Sequence, residues 1–383
     1  MVRYIVGRLV QMVLVFVVFL TIVFTMLHAQ PGDIADQFVA NPNIPAEARV
    51  LLRERLGLDQ PLHRQYVQYI RNFATGNMGV SFSNYPRPVR DIIFERMPRT
   101  VFLFLTATLL AYWLGYNAGK FLVWRRGRMS EHGVNVVGVT LYTVFQPWFY
   151  LTMIYIFSFI LGLFPPGRFI EYEVWRGSPF RINEVFHRML VTLALLALLV
   201  LAVRIVARRA GHPRTRRLIR WAGTGALAAF FLGYWAQSPM GRYALDIAHH
   251  TVLPVLTLTL VIFGGVMLLM RSSMLETLRE DYVFTARAKG LPDRVIRDKH
   301  AARNALLPVV TSFVLALAFV IGGGIIAENI FSWPGLGTTL LQASLVNDVP
   351  LATGTLAFIG ILALFAHLVV DIVYMFLDPR IRH

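Results

Sequence analysis

The sequence predicts an all-α polytopic membrane protein, a bundle of about eight transmembrane helices. Three observations carry that expectation. Of 383 residues, 56% are hydrophobic and only 15% are charged, whereas a soluble domain carries roughly 25% charge. Uncharged runs recur that approach or exceed the ~20 residues a helix needs to cross a bilayer. Short arginine-rich patches separate those runs, as loops on one side of a membrane do. A backbone in hydrocarbon must satisfy its own hydrogen bonds, which selects helices over open strands. The net charge of +16 therefore reads as loop charge, and nucleic-acid binding is excluded as its cause. The chain has no cysteine, so disulfides, thiolate nucleophiles and cysteine metal sites are absent.

Arg3 and Arg8 precede the uncharged run 9–27. A signal peptide's apolar region spans about 7–15 residues and ends in a small-x-small site. This run is longer and Leu27-His28-Ala29 is a poor site, so residues 1–28 are expected to be a retained first helix. Residues 29–99 form an extracytoplasmic loop region. The transmembrane core, 100–383, offers spans at about 100–119, 134–164, 189–207, 221–237, 251–270, 306–327 and 352–377. The window 134–164 is too long for one straight helix. Pro147 should break it, because proline removes a donor and clashes with the preceding turn.

Eight spans place both termini on one side. Arg125, Arg126 and Arg128, the cluster from Arg208 to Arg220, and the tail DPRIRH then share that side, which the positive-inside rule makes the cytoplasm. Segment 189–236 differs from its surroundings. Its first helix is low-complexity (LALLALLVLAV), its second is rich in Gly and Ala, and the connection is dominated by Arg. We read it as a helical hairpin inserted into a six-helix core.

The loop 280–305 carries the most information. In DYVFTARAKGLPDRVIRDKH, residues 280–289 suit a short helix with Tyr282, Val283 and Ala286 on an apolar side. Gly290 supplies a C-terminal break, since glycine takes the left-handed conformation cheaply. Pro292 and Asp293 suit the first turn of a second short helix, and Pro308 opens the next span. An amphipathic linker lying on anionic lipid would share this composition. Small residues such as Ala286 and Ala288 beside a glycine point instead to close packing against another protein.

DYVFTARAKGL followed by RNALLP resembles the cytoplasmic loop of binding-protein-dependent ABC importer permeases, in the dipeptide/oligopeptide/nickel branch. Further stretches agree in order: RYIVGRLVQ with PGD (31–33), GLDQPLHRQYVQYI, GNMGVSFSNYPRPV, MPRTVFLF, AENIFSWPGLG, NDVP and DIVYMFLDPRIR. The resemblance covers nearly the whole chain except about 189–245. Asn77 stands where the family often has Asp, and the separation from Gly290 to Pro308 suits the peptide branch.

That resemblance implies a type I ABC importer permease-like bundle, a B-type subunit in a prokaryotic inner membrane with both termini cytoplasmic. It implies import of di- or oligopeptides delivered by an extracytoplasmic binding protein. Nickel, a metal chelate or another solute is the alternative cargo. The implied partners are a second related permease and two ATP-binding cassette subunits. ATP and Mg would be bound by those partners, leaving no cofactor, metal or catalytic residue in this chain. The loop is implied to be a coupling helix docking on the ATPase, through Tyr282, Val283, Ala286, Arg287, Ala288, Lys289, Gly290 and Leu291.

Other motifs weaken the rival classes. WPGLGTTL lacks the G-x-x-x-x-G-K-[ST] spacing and its lysine, so it reads as a turn. Gly322-Gly323-Gly324 permits close helix contact or a bend. His367 and Asp371 share a helix face and are expected to hydrogen-bond or cap; as intramembrane ionisable groups they are also the residues a membrane enzyme or proton relay would use. His249-His250 has no third ligand spaced for a metal. GVSFS lacks the closing glycine of a nucleophile elbow, and no internal repeat marks a secondary transporter.

Overall fold

The computed structural model describes residues 2–28, 60–124 and 129–377. Residues 29–59 of the expected extracytoplasmic loop, Arg125, Arg126 and Arg128, and the tail 378–383 lie outside the described residues. The described chain is helical; its one extended pairing is an isolated bridge between Val80 and Pro88.

In chain order the principal helices are α1 (Val2–His28), α2 (Leu62–Ala74), α3 (Val89–Trp124), α4 (Met129–Thr143) and α5 (Gln146–Ile154). They continue with α6 (Ile182–Arg209), α7 (Pro213–Gln237), α8 (Gly241–Thr277) and α9 (Asp281–Ala288). The last four are α10 (Ala302–Gly322), α11 (Ile325–Ile330), α12 (Leu336–Leu345) and α13 (Val349–Leu377).

Six helical stretches are long and apolar enough to cross a bilayer: Val6–Met26, Val89–Val123, Ile182–Arg209, Gly241–Thr277, Asp293–Leu317 and Val349–Ile372. A seventh arises if Glu131–Thr143 and Gln146–Ile160 form one broken span, bent by 110°. The break expected from Pro147 is there, with proline in the first turn of α5. The expected span 221–237 lies in α7 but is not among these stretches. Arg214, Arg216, Arg217 and Arg220 fill its first turns, and the uncharged remainder falls short of ~20 residues. The expected span 306–327 is also shifted. Its helix starts before Pro308, which lies inside α10, and ends at Gly322.

The chain forms two compact units, residues 1–156 with 254–383, and residues 157–253. The larger unit is held by small residues at helix crossings. A Cβ on Gly115 would lie 2.7 Å from Val266, and one on Gly119 would lie 2.7 Å from Met270 and from the Met267 carbonyl oxygen. A Cβ on Gly264 would sit 2.5 Å from the Gly138 carbonyl oxygen. Between these helices Val123, Val266, Met270, Met274, Ala301 and Ala305 pack as one buried cluster. Polar contacts add direction: Ser273 donates to the Ala305 carbonyl at 2.9 Å, and Tyr112 and Ser312 hydroxyls lie 2.7 Å apart. Helix association in lipid depends on such close packing and buried hydrogen bonds, because lipid tails give no hydrophobic drive between helices.

In the smaller unit, α6 and α7 form a hairpin. Gly223 lets the two approach, since a Cβ there would lie 2.7 Å from Val203. Arg216 donates to the carbonyls of Ala207 and Arg208 at 3.3 and 2.7 Å, satisfying groups at the end of α6. At its other end the hairpin is tied by Trp235, whose indole donates to Thr192 at 3.2 Å.

Replacing Gly264 by Val forces α8 away from α4. The expected outcome is a loss of about 1–3 kcal/mol of stability, the usual cost of overpacking. Thermal unfolding of the detergent-solubilised chain reads it, and an unchanged midpoint would contradict the crossing.

Candidate functional site

The loop after α8 is built around a short helix closed by a left-handed glycine. Gly290 has φ 71°. Its amide donates to the Arg287 carbonyl at 2.9 Å, and the Leu291 amide to that of Ala286 at 3.3 Å. This pair of bonds is a Schellman closure, completed by apolar contact across the end of the helix. The chain then leaves Pro292 and turns through Asp293–Val295 and a π-helical turn, Ile296–Ala301, directly into α10. No separate second helix forms. The π turn and α10 are one continuous rod, so the loop is one short helix, one hinge and a long helix.

Val283 and Ala286 are buried against Ile296, with Leu278 and Leu291 packed beside them. This corrects the expectation that they form an outward docking face: both face the protein's own chain. Tyr282 is half turned outward, and its hydroxyl oxygen accepts a hydrogen bond from the Asn304 side-chain amide of α10 at 2.8 Å. Arg287, Ala288, Lys289 and Gly290 are exposed, and Leu291 is partly buried. Phe284, absent from the sequence-derived set, is 74% exposed. Its position was legible in principle: once Val283 and Ala286 face inward, residue 284 must face out. Beside the π turn, Lys120 of α3 lies 3.3 Å from Asp298, which also takes two hydrogen bonds from Arg297 at 2.9 Å.

Two buried carboxylates organise the other connections. Glu328 in α11 is fully buried. It accepts hydrogen bonds from the Thr100 hydroxyl at 2.7 Å and the Thr338 amide at 2.9 Å, and from the Gly337 amide. Thr100 in turn accepts from the Leu336 amide at 2.8 Å. Trp333 is buried between them, its indole donating to the Arg99 carbonyl at 3.1 Å. Of WPGLGTTL, residues 333–335 are the expected turn, whereas LGTTL opens α12, and the glycines are explained. A Cβ on Gly335 would collide with Glu328 and Thr100 at 2.4 Å, and one on Gly337 with the Ile325 backbone at 2.9 Å. Burial pushes the Glu328 carboxyl above the usual glutamate range, while its hydrogen-bond donors and Arg96 oppose that shift. Asp348, also buried, takes hydrogen bonds from Ser81 and Ser83 hydroxyls at 2.5 and 2.6 Å and from the Ser83 amide at 2.9 Å. Its other oxygen caps α13 through the Leu351 amide at 3.2 Å.

His367 and Asp371 do not bond one another. His367 Nδ1 lies 2.7 Å from the Ala363 carbonyl of its own helix, and Asp371 pairs with Arg8 of α1 at 3.2 Å. The i, i+4 spacing was legible, but a partner from the other end of the sequence was not. His249 and His250 turn to different partners, the carbonyls of Leu163 and Asp246 at 3.0 and 2.9 Å. Among the described residues no group of three or more metal-ligating side chains occurs.

Comparison with known proteins decides what this arrangement belongs to. A family model described as binding-protein-dependent transport system inner membrane component matches residues 78–383, and its N-terminal companion matches residues 1–104. The chain belongs to this binding-protein-dependent transport family. It is similar to the di/tripeptide transport system permease protein DppB of Pseudomonas aeruginosa, with 30% identity over 383 residues, covering 100% of this chain and 99% of that protein. It is similar to the oligopeptide transport system permease protein AppB of Bacillus subtilis, with 27% identity and full coverage of both. The glutathione transport system permease protein GsiC of Escherichia coli is 28% identical, again over the whole of both chains. In this inner membrane transport component, Glu328 and Asp348 fasten turns between helices.

Glu328 yields a prediction with a defined sign. Because its folded-state carboxyl titrates above the ordinary range, the native state binds the proton more readily than the unfolded chain. The resulting stabilisation is present below the ordinary glutamate range and fades as pH rises through the folded value. Glu328→Gln removes that dependence and should flatten stability against pH. Glu328→Ala orphans the Thr338 and Gly337 amides, at about 1–3 kcal/mol for each. Thermal unfolding of both variants between acidic and neutral pH reads the difference, and parallel pH profiles for Gln variant and parent would contradict it.

Proposed function

We propose that this inner membrane component is a permease subunit of an ATP-driven importer for di- and oligopeptides. The names of its relatives support the cargo, and the glutathione-transporting relative extends it to small peptide-like solutes. Substrate arrives on an extracytoplasmic binding protein resting on the outer loops, including 29–98 and 328–350. The path forms between this chain and a second, related permease. Two ATPase subunits dock on the opposite face, where ATP and Mg are bound and hydrolysed. Both termini lie in the cytoplasm, and segment 189–236 is an accessory hairpin on a six-helix core.

The observation that carries this reading is the construction of α9. Its inward side, Val283 and Ala286, is locked to Ile296 at the start of the rod that becomes α10. Its outward side presents Phe284, Arg287, Ala288 and Lys289. A partner that grips the outward side moves the rod through the buried side, with Gly290 setting the angle between them. Tyr282 and Leu291 brace the joint. Nucleotide-driven closure of the ATPases then biases the membrane helices between inward- and outward-open states, a population shift produced by differential contacts.

Two variants test this. Gly290→Val meets no neighbouring atom, since nothing lies within 4 Å of the added Cβ, but a β-branched residue at φ 71° carries strain of about 1–3 kcal/mol. It should insert normally, yet lose peptide uptake in proteoliposomes while the assembled complex still hydrolyses ATP. Undiminished uptake would overturn the coupling assignment. Phe284→Ala should leave the fold intact and weaken retention of the ATPase subunits by about 2 kcal/mol, the scale of an exposed aromatic anchor. Co-purification at graded salt measures it, and unchanged retention would remove Phe284 from the docking face.

A further inference from the structure

The hairpin of α6 and α7 holds a cleft that neither the fold nor the transport reading uses. It encloses about 430 Å³ and is lined by Arg204, Arg208, Arg220, Trp221 and Thr224, within the roughly 300–1,000 Å³ of ordinary ligand sites. Its construction is local. Arg204 and Arg208 are one turn apart on α6, Arg220 and Thr224 one turn apart on α7, so each pair lies on one helix face. Gly223 sits between the second pair and lets α7 close on Val203, the residue before Arg204. The closest approach of the two helices thus brings three guanidinium groups to one opening.

These charges have no counter-ion in the hairpin. Between Glu184 and Asp246 the sequence contains no Asp or Glu. Arg204 also lies within the apolar stretch Ile182–Arg209, close to its end. Arg204, Arg208 and Arg220 are all exposed, and a guanidinium at this position reaches the headgroup layer by extending along its own stem. Trp221, 73% exposed, stands beside the cleft with the amphipathic ring that favours the membrane–water boundary.

We propose that this cleft binds the phosphate diester of an anionic phospholipid in the leaflet that this end of the hairpin meets. The guanidinium groups of Arg204, Arg208 and Arg220 supply paired donors matched to phosphate oxygens. Trp221 lies against the glycerol and upper acyl region. Basic pockets between membrane helices recognise lipid headgroups in this way. The hairpin would then anchor this permease to a defined lipid.

The test uses the full-length chain in nanodiscs of phosphatidylglycerol and phosphatidylethanolamine, with native mass spectrometry counting the lipids retained on release. The parent should retain phosphatidylglycerol in preference to phosphatidylethanolamine. Arg204→Gln/Arg208→Gln/Arg220→Gln should lose it, with each arginine worth roughly fivefold, from about 1 kcal/mol per basic residue at an anionic surface. The control Arg209→Gln/Arg214→Gln/Arg217→Gln removes the same charge outside the cleft and should retain the lipid. Equal loss in both triples would mean diffuse attraction and overturn the site. Equal retention of the two lipids by the parent, or full displacement of phosphatidylglycerol by inorganic phosphate, would overturn it as a lipid site. Should the Gln triple fail to insert, Arg220→Lys keeps the charge but not the paired donors. A severalfold weaker preference supports the proposal, and an unchanged one overturns it.

Discussion

Helix α10 can stop at Gly322 and the chain restart as α11 and α12 only if the interrupting backbone is satisfied away from water. Glu328 meets that requirement. Its two oxygens gather the Thr338 and Gly337 amides and the Thr100 hydroxyl, so a non-helical turn is stitched to α3 from inside. An unmade bond to a group buried this completely costs as much as several surface contacts provide. The rest follows from that knot. Trp333 is held against the Arg99 carbonyl, the glycines at 335 and 337 are forced by closeness to the carboxylate, and α12 leaves at a fixed angle toward Asp348, which repeats the device for α13.

The loop on the other side of α10 is built on the opposite plan. Nothing polar buries itself at Gly290, and no atom crowds it. The joint of α9 is apolar, a contact of Val283, Ala286 and Ile296. Hydrogen bonds are directional and resist sliding, whereas apolar contacts tolerate small rotations without leaving a group unsatisfied. A rod fixed by a carboxylate at one end and hinged on a glycine at the other is a lever with a defined fulcrum. In the proposed transport cycle the hinge end receives force and the knotted end keeps register.

Much of this could be read from the residues in order. Uncharged runs gave the helices, and Pro147 gave the break between α4 and α5, because both signals are local. The run 221–237 is at the short end of spanning length, because the arginines in the first turns of α7 leave only its remainder uncharged. Pro308, expected to open a span, lies inside α10, and in a membrane protein neighbouring helices supply what an interior proline removes. Glu328 and Asp348 lie in two stretches that carry the family resemblance, AENIFSWPGLG and NDVP, but their structural role is not legible there, since their partners Thr100 and Ser81 lie hundreds of positions away. Val283 and Ala286 were seen as an apolar side, but their partner Ile296 sat thirteen and ten residues on, so an inward face looked like an outward one.

That reversal bears on how a short helix can serve two surfaces. Eight residues make barely two turns, too few to be stable alone in water. Had α9 offered its apolar face to another protein, it would have had nothing to fold against before that partner arrived. By committing Val283 and Ala286 inward, and closing its end through Gly290 and Leu291, it is ordered by its own chain. In the proposed complex, Phe284, Arg287 and Lys289 would then be presented without an ordering cost at the moment of docking. The same commitment means that whatever grips the outer face grips α10 as well.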